Sequence, residues 1–373
     1  MTILLKLFVK TAWAVSVWPV LGSVPGTAAR VGLVFDLTDT SGEVVDLMSG
    51  FDLAIEDSGS RIETRKYDSK RDAIGTVSAM KSMLESPPDI IVAEINSSKA
   101  FVAAEIAEEA KRLLIVPLAS APDITRNKKY VFRTSYADDF QGARLARFAR
   151  DSLKASRAAI FLDVGQLYSK SLSESFKSAF SSIGGTVVRE ERVAGISADF
   201  SESLSRLKDK NIDVIFLPLY EDLAARIINQ ATRLGVHPKA FVGGDGWYPR
   251  DIFADLVNPR TLPFDLYWVE QFELSRLKGA LLKLVARIEK RAGKKINASI
   301  AAGYDTGLLV ATLLKRTQKN RSQDSLLKAI QEMPPLAGLC TTYAYKGKHN
   351  PDKSLFIHKL TGGSGVFFSE LKP

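Results

Sequence analysis

From Arg30 onward the chain alternates short, wholly apolar runs with longer stretches in which apolar residues recur every three or four positions. "RVGLVFDL", "PDIIVAEI", "LLIVPL", "RAAIFLD" and "IDVIFLPLY" have apolar side chains for both faces, as strands of a parallel sheet covered on both sides require. "RIETRKYD" and "TVVREERV" alternate and read as half-buried strands. Between them, "MSGFDLAIEDSG", "AIGTVSAMKSMLES", "KAFVAAEIAEEAKR" and "EDLAARIINQATRLG" have helical spacing. "SLSESFKSAFSSIGG" sets Leu172, Phe176, Phe180 and Ile183 on one helical face, and Gly184-Gly185 stops it.

The alternation breaks at "YVFRTSYADDFQG" (130–142) and then restarts with helix "LARFARDSLK". Further on come strand "KAFVGGD", strand "FDLYWVEQF", two long helices (the second "ASIAAGYDTGLLVATLLKRT") and terminal strands around 341–345 and 354–360. The pattern predicts an α/β protein of two doubly wound parallel-sheet lobes joined by hinge strands. Lobe 1 takes 30–134 plus about 250–340, and lobe 2 takes 135–249 plus about 341–373. The hinges fall near 132–142 and 243–250, and two such lobes enclose a cleft that closes by bending.

The N-terminus departs from this rhythm. "MTILLKLFVK" carries Lys6 and Lys10 without an acid, "TAWAVSVWPVLG" is apolar, and "SVPGTAA" is small. That order is a secretory signal peptide over 1–29, cleaved after Ala29. A retained membrane anchor is the rival, but the apolar core is shorter than the roughly 20 residues of a span and contains Pro19. No cysteine stands near the cleavage site to take a lipid. A periplasmic location follows as the expectation.

Composition changes little. The 373 residues are 46% hydrophobic and 25% charged, enough for two cores. The charge of +9 is spread along the chain, with no basic stripe to meet nucleic acid. "RNKK" (126–129) reads as a solvated loop. Cys340 is the single cysteine, so stability rests on packing and not on a disulfide.

Ligands of open α/β sheets sit beyond the carboxyl ends of strands. Ser97 follows "PDIIVAEI", where serine commonly serves only as a helix cap. Ala119 and Ser120 follow "LLIVP", inside "IVPLASAPDI". Tyr168 and Tyr220 follow the next two apolar strands, and Asp245 follows "AFVGG". The first lobe thus offers hydroxyls and amides near helix N-termini, which suit a carboxylate. The second offers a carboxylate and two phenols, which suit an ammonium. A ligand with both groups close together is an α-amino acid.

The blocks "YDSKRD" (67–72), "NSS" (96–98), "PLASAPDIT" (117–125), "FRTSYADDFQG" (132–142), "VGQLYSKSLSESFKSAFSSIGGTVV" (164–188), "ADFSESLSRLKDKNIDVIF" (198–216) and "GGDG" (243–246) stand in one order. On them the chain resembles the leucine/isoleucine/valine-binding family of ABC-transporter solute-binding proteins, with the type I periplasmic binding fold. The resemblance implies that Ser97, Ala119 and Ser120 hold a ligand carboxylate, that Asp245 pairs with the ammonium, and that Tyr168 and Tyr220 close over it. It also implies a monomer that delivers its small-molecule ligand to an ABC permease in the inner membrane. Glu43, in "DLTDTSGEVVD" (36–46), stands where such a protein usually has an aromatic residue, which turns the expectation toward a polar or cationic ligand side chain. The alternative on the same scaffold is a non-transport sensor or cell-envelope regulator.

No catalytic set emerges, and neither a cofactor nor a metal is expected. His237, His349 and His358 lack metal-ligand spacing and are expected at the surface. "GGDGWYPR" lacks the end of a phosphate loop, and "TGGSG" (361–365) lacks the spacing of a nucleophile elbow. Asp138 and Asp139 read as solvated turn residues.

Overall fold

The computed structural model describes residues 28–39, 41–195, 197, 199–208 and 210–373. The expected leader therefore lies, but for its last two residues, outside the described residues. Ala29 opens the first strand: it is buried, and its amide donates to the Arg61 carbonyl at 3.1 Å, so that strand begins one residue before the expected edge at Arg30. Among the described residues no helix is long and apolar enough to cross a membrane.

The first lobe is built from β1 (Ala29–Phe35), α1 (Glu43–Asp57), β2 (Ile62–Asp68), α2 (Ala73–Leu84), β3 (Ile90–Ala93), α3 (Ser97–Glu109), β4 (Leu114–Val116) and β5 (Val131–Arg133). Its five strands are parallel in the order β2-β1-β3-β4-β5. The chain then crosses to α4 (Asp138–Asp151), β6 (Arg157–Asp163), α5 (Leu167–Ser182), β7 (Thr186–Val193), α6 (Ser201–Ser205), β8 (Val214–Leu217), α7 (Glu221–Leu234), β9 (Ala240–Gly243), α8 (Pro249–Asp255) and β10 (Asp265–Glu270). It returns for α9 (Ala280–Ala292), α10 (Ala298–Arg316), α11 (Gln323–Gln331) and the short pair β11 (Leu336–Ala337) and β12 (Thr342–Tyr343). It crosses a last time to β13 (Leu355–Thr361) and β14 (Ser364–Leu371). The second sheet runs β14-β13-β10-β9-β8-β6-β7, parallel except for the antiparallel pair at one edge.

The expected α/β architecture is present, with two corrections to its boundaries. β10 belongs to the second sheet, so the chain returns to the first lobe after Glu270 and not near 250. The Gly-rich stretch at 243–246 joins β9 to α8 inside the second lobe and is no hinge. The crossings are 134–137, 271–279 and 344–354. "TGGSG" is the tight turn between β13 and β14, with Gly362 and Gly363 at φ of 60° and 86°, a conformation glycine adopts without strain.

Each lobe has its own core. In the first, the sheet's β1, β3 and β4 residues pack with Leu309, Leu313, Leu326 and Ile330 from α10 and α11. In the second, Leu172, Phe176 and Phe180 cover one face of the sheet, and Ile227, Ile228 and Trp247 the other. α1 and α10 touch along glycines. A Cβ on Gly303 would lie 1.9 Å from the Leu47 carbonyl oxygen, and one on Gly50 would lie 2.0 Å from that of Ile300.

Candidate functional site

Both sheets follow one winding, and each has a switch point, between β1 and β3 in the first lobe and between β6 and β8 in the second. Connections diverge to opposite faces there, leaving a crevice at the strands' carboxyl ends. The crevices face each other and form one cavity of about 410 Å³. Ser97, Ala119, Ser120, Tyr168, Tyr220 and Asp245 all line it. Six residues picked from six positions along the sequence therefore share one cavity.

On the first-lobe wall, Ser97 is not the cap of α3. Asn96 takes that role, its side-chain oxygen accepting from the amides of Ser98 and Lys99 at 3.0 and 3.4 Å. Ser97 is thereby released: its Oγ accepts the amides of Ser120 and Ala121 at 3.3 and 3.2 Å. With both lone pairs engaged, the hydroxyl proton is what Ser97 has left to offer. The loop is held from behind by Arg133, which is fully buried and donates to the carbonyls of Ala119 and Ala121 at 3.2 and 2.8 Å. Burial lowers the guanidinium pKa to about 10, with Asp138, Asp139 and Asp245 opposing, so it is charged at neutral pH. The loop thus has a buried cation behind it, and its wall suits an anion.

On the second-lobe wall, Asp245 accepts Gln141 Nε2 and Gln271 Nε2, each at 2.9 Å. Gln271 is itself fixed by Lys353, 2.9 Å from its side-chain oxygen, and the Asp245 amide donates to Gln141 Oε1 at 2.9 Å. The carboxylate is held by neutral amides, and among the described residues no cation pairs with it. Burial raises its pKa. Tyr168 does more than cover the cavity: its hydroxyl accepts the Gly246 amide at 2.9 Å, and its ring stacks on Tyr220 at 5.3 Å between centroids. The glycines of this loop make room for it, since a Cβ on Gly244 would lie 2.3 Å from the Tyr168 hydroxyl.

Asp138 overturns its expectation as a solvated residue. It is fully buried, bonded to the Ser171 hydroxyl and to Gln141 Nε2 at 3.2 Å. Burial and the nearby Asp245 push its pKa up to about 7, against the hydroxyls of Ser171 and Ser120 and the charge of Arg133. Ser120 is tied to Asp138 through the backbone, its carbonyl accepting the Asp138 amide at 2.9 Å, and it stands beside Ala119 on the cavity wall. Asp139 is exposed, as expected. The histidines divide similarly. His237 is exposed, His349 stacks on Phe132 at 4.4 Å, and His358 lines the cavity with Nε2 3.0 Å from Glu273.

Glu43 does line the cavity, and Glu270 lines it from the other lobe. Applied to β5 and β10, the strand-end rule would have found Arg133, Glu270 and Gln271, since each lies at or just past a carboxyl end. Among the described residues, hydrogen bonds span the cleft on both flanks. The Tyr248 hydroxyl donates to Asp46 on α1 at 2.6 Å, and Asn297 donates to Tyr248 at 3.0 Å. On the other flank, Ser98 Oγ accepts the Leu167 amide at 3.0 Å.

Comparison with known proteins agrees with this fold. A family model described as periplasmic binding protein matches residues 28–364. The Leu/Ile/Val/Thr-binding protein of Salmonella typhimurium is 27% identical over 228 residues, which span 61% of this chain and 60% of that relative's length. The crystal structure of a leucine-binding protein from Thermotoga maritima superposes with a TM-score of 0.85 over 93% of this chain and 99% of the other, at 24% identity. A solute-binding protein of an ABC transporter from R. palustris, in complex with benzoate, superposes at 0.79 over 93% and 97%, at 20% identity. The family match takes in both lobes and every residue named at the cavity, and the chain belongs to the periplasmic binding protein family.

Proposed function

We propose that the chain is the periplasmic solute-capturing component of an ABC importer, a monomer that traps an α-amino acid between its lobes and presents it to an inner-membrane permease. It works by binding and not by catalysis. The observation that carries this reading is the opposed polarity of the two walls. Ser97 and the 118–121 loop, backed by Arg133, suit a carboxylate. Asp245, held by two neutral amides, suits an ammonium. An aromatic acid, the ligand of the R. palustris neighbour, fits the first wall but sets an apolar ring against Asp245. Leaving a buried carboxylate without a partner costs several kcal/mol.

Titration calorimetry on the mature chain with α-amino acids, small amides and benzoate tests the reading. Asp245→Ala is expected to weaken binding of a zwitterionic ligand by about 2–5 kcal/mol, the cost of removing one partner from a buried charge pair. Near-normal affinity in that variant would remove the ammonium role, and binding of benzoate alone would replace the amino acid.

A further inference from the structure

The cavity is lined by more acidic side chains than an α-amino acid with an apolar side chain could partner. Five carboxylates line it: Glu43, Asp46, Asp245, Glu270 and Glu273. Two have partners within the protein. Asp46 is paired with Lys294, and Glu273 faces His358 Nε2 at 3.0 Å. On the reading above, which this step rests on, Asp245 takes the ligand's α-ammonium. Glu43 and Glu270 are left over.

Among the described residues, no Lys, Arg or His lies within ion-pair distance of Glu43 or Glu270. A neutral donor reaches each: the Ser299 hydroxyl lies 3.4 Å from Glu43, and the Trp268 indole N–H 3.0 Å from Glu270. They come from opposite lobes, Glu43 at the start of α1 and Glu270 at the end of β10, and both reach the same cavity. Without a cation beside them, both acids hold their protons more tightly than usual. Burial pushes Glu43 well up, and Glu221, Asp39, Asp245 and Glu270 add to it. Burial also pushes Glu270 up to about 7, with Glu273 and Asp245 adding and Trp268 opposing.

We propose that the ligand is a basic α-amino acid, whose side-chain ammonium or guanidinium is held between Glu43 and Glu270 as the lobes close. Ile95, Leu118, Val269 and Phe272 line the same cavity and suit the methylene stem of such a side chain. An organic cation fits better than a metal ion, because no group of three His, Cys, Asp or Glu side chains among the described residues could hold one. A leucine or isoleucine side chain would instead set methyl groups against two unpaired acids. The arrangement also explains the departure at Glu43: an acid replaces apolar surface where the ligand side chain is positive.

The test is titration calorimetry at pH 8 on the mature chain with lysine, ornithine, arginine, leucine, isoleucine, glutamine and benzoate. At least one of the three basic amino acids is expected to bind about tenfold or more tightly than leucine, isoleucine or glutamine. Glu43→Gln and Glu270→Gln, which keep side-chain size, are each expected to weaken the basic ligand about tenfold or more and to narrow its lead over glutamine. A lead for leucine, isoleucine or glutamine overturns the cationic side chain while the amino-acid reading stands. Unchanged affinity for the basic ligand in the Glu43→Gln, Glu270→Gln double variant does the same. Binding of benzoate alone, or of no amino acid, overturns both.

Discussion

At the residue scale the cleft is organised by acids held above their usual range, and Asp138 shows what that does to stability. Its carboxyl faces Arg133, Asp245, Gln141 and the hydroxyls of Ser171 and Ser120, and its pKa stands at about 7. An acid whose folded pKa lies above the unfolded value keeps its proton more tightly when folded. It therefore stabilises the fold at low pH and loses that contribution as pH rises through about 7. Asp245, Glu43 and Glu270 shift in the same direction. The ligand-free chain is expected to lose stability between about pH 4 and 7, and Asp138→Asn to flatten the slope. Urea unfolding at several pH values reads it; an equal slope in the variant would remove Asp138 from the account. The sequence hid this residue because two acids in the first turn of a helix are usually solvated and favoured by the helix dipole. Only the packing of α4 on α5 buries one and leaves the other in water. Asp245, at a strand end beside glycines, needed no such knowledge.

Among the elements, legibility followed length and pattern. Long amphipathic helices and continuous apolar strands were plain, and their ends led to six cavity residues. Three-residue β5, short α8 and nine-residue α11 carry too few periods to stand out, and β14 lies past the "TGGSG" turn, beyond the terminal strand expected at 354–360. With β5 went Arg133, the cation behind the anion wall. The glycines of α10 were visible in sequence but not their purpose, since only the crossing with α1 requires them. Gly303→Ala drives a methyl toward the Leu47 carbonyl, 1.9 Å from the ideal Cβ position. The two helices must separate, and the expected loss is about 1–3 kcal/mol, the usual cost of overpacking a tight contact. Chemical denaturation measures it, and unchanged stability would mean that α10 shifts without cost.

For the whole molecule the question is what holds the lobes at their present separation. The sequence located one crossing, at 132–142, but mistook the glycines at 243–246 for another. Those glycines serve close packing, since a Cβ on Gly243 would lie 2.4 Å from the Trp247 ring. Three covalent crossings permit bending, and the Asp46–Tyr248–Asn297 bridge opposes it on one flank. Burial alone would raise the Asp46 pKa, but bonds from Lys294, Tyr248 and Asn297 hold it below the usual carboxylate value. Asp46 keeps Lys294 and Asn297, both from the first lobe, when the Tyr248 hydroxyl is removed. Tyr248→Phe therefore deletes the cross-cleft bond without stranding a charge. A hydrogen bond to a charged group contributes about 1.5–3 kcal/mol, and this one exists only while the lobes are together. It biases closure without touching the groups proposed to hold the ligand. The variant is expected to bind about tenfold or more weakly, mainly through faster dissociation, with a larger radius of gyration in solution scattering at subsaturating ligand. Unchanged dissociation would mean that ligand contacts and the Ser98 bridge suffice to hold the lobes shut.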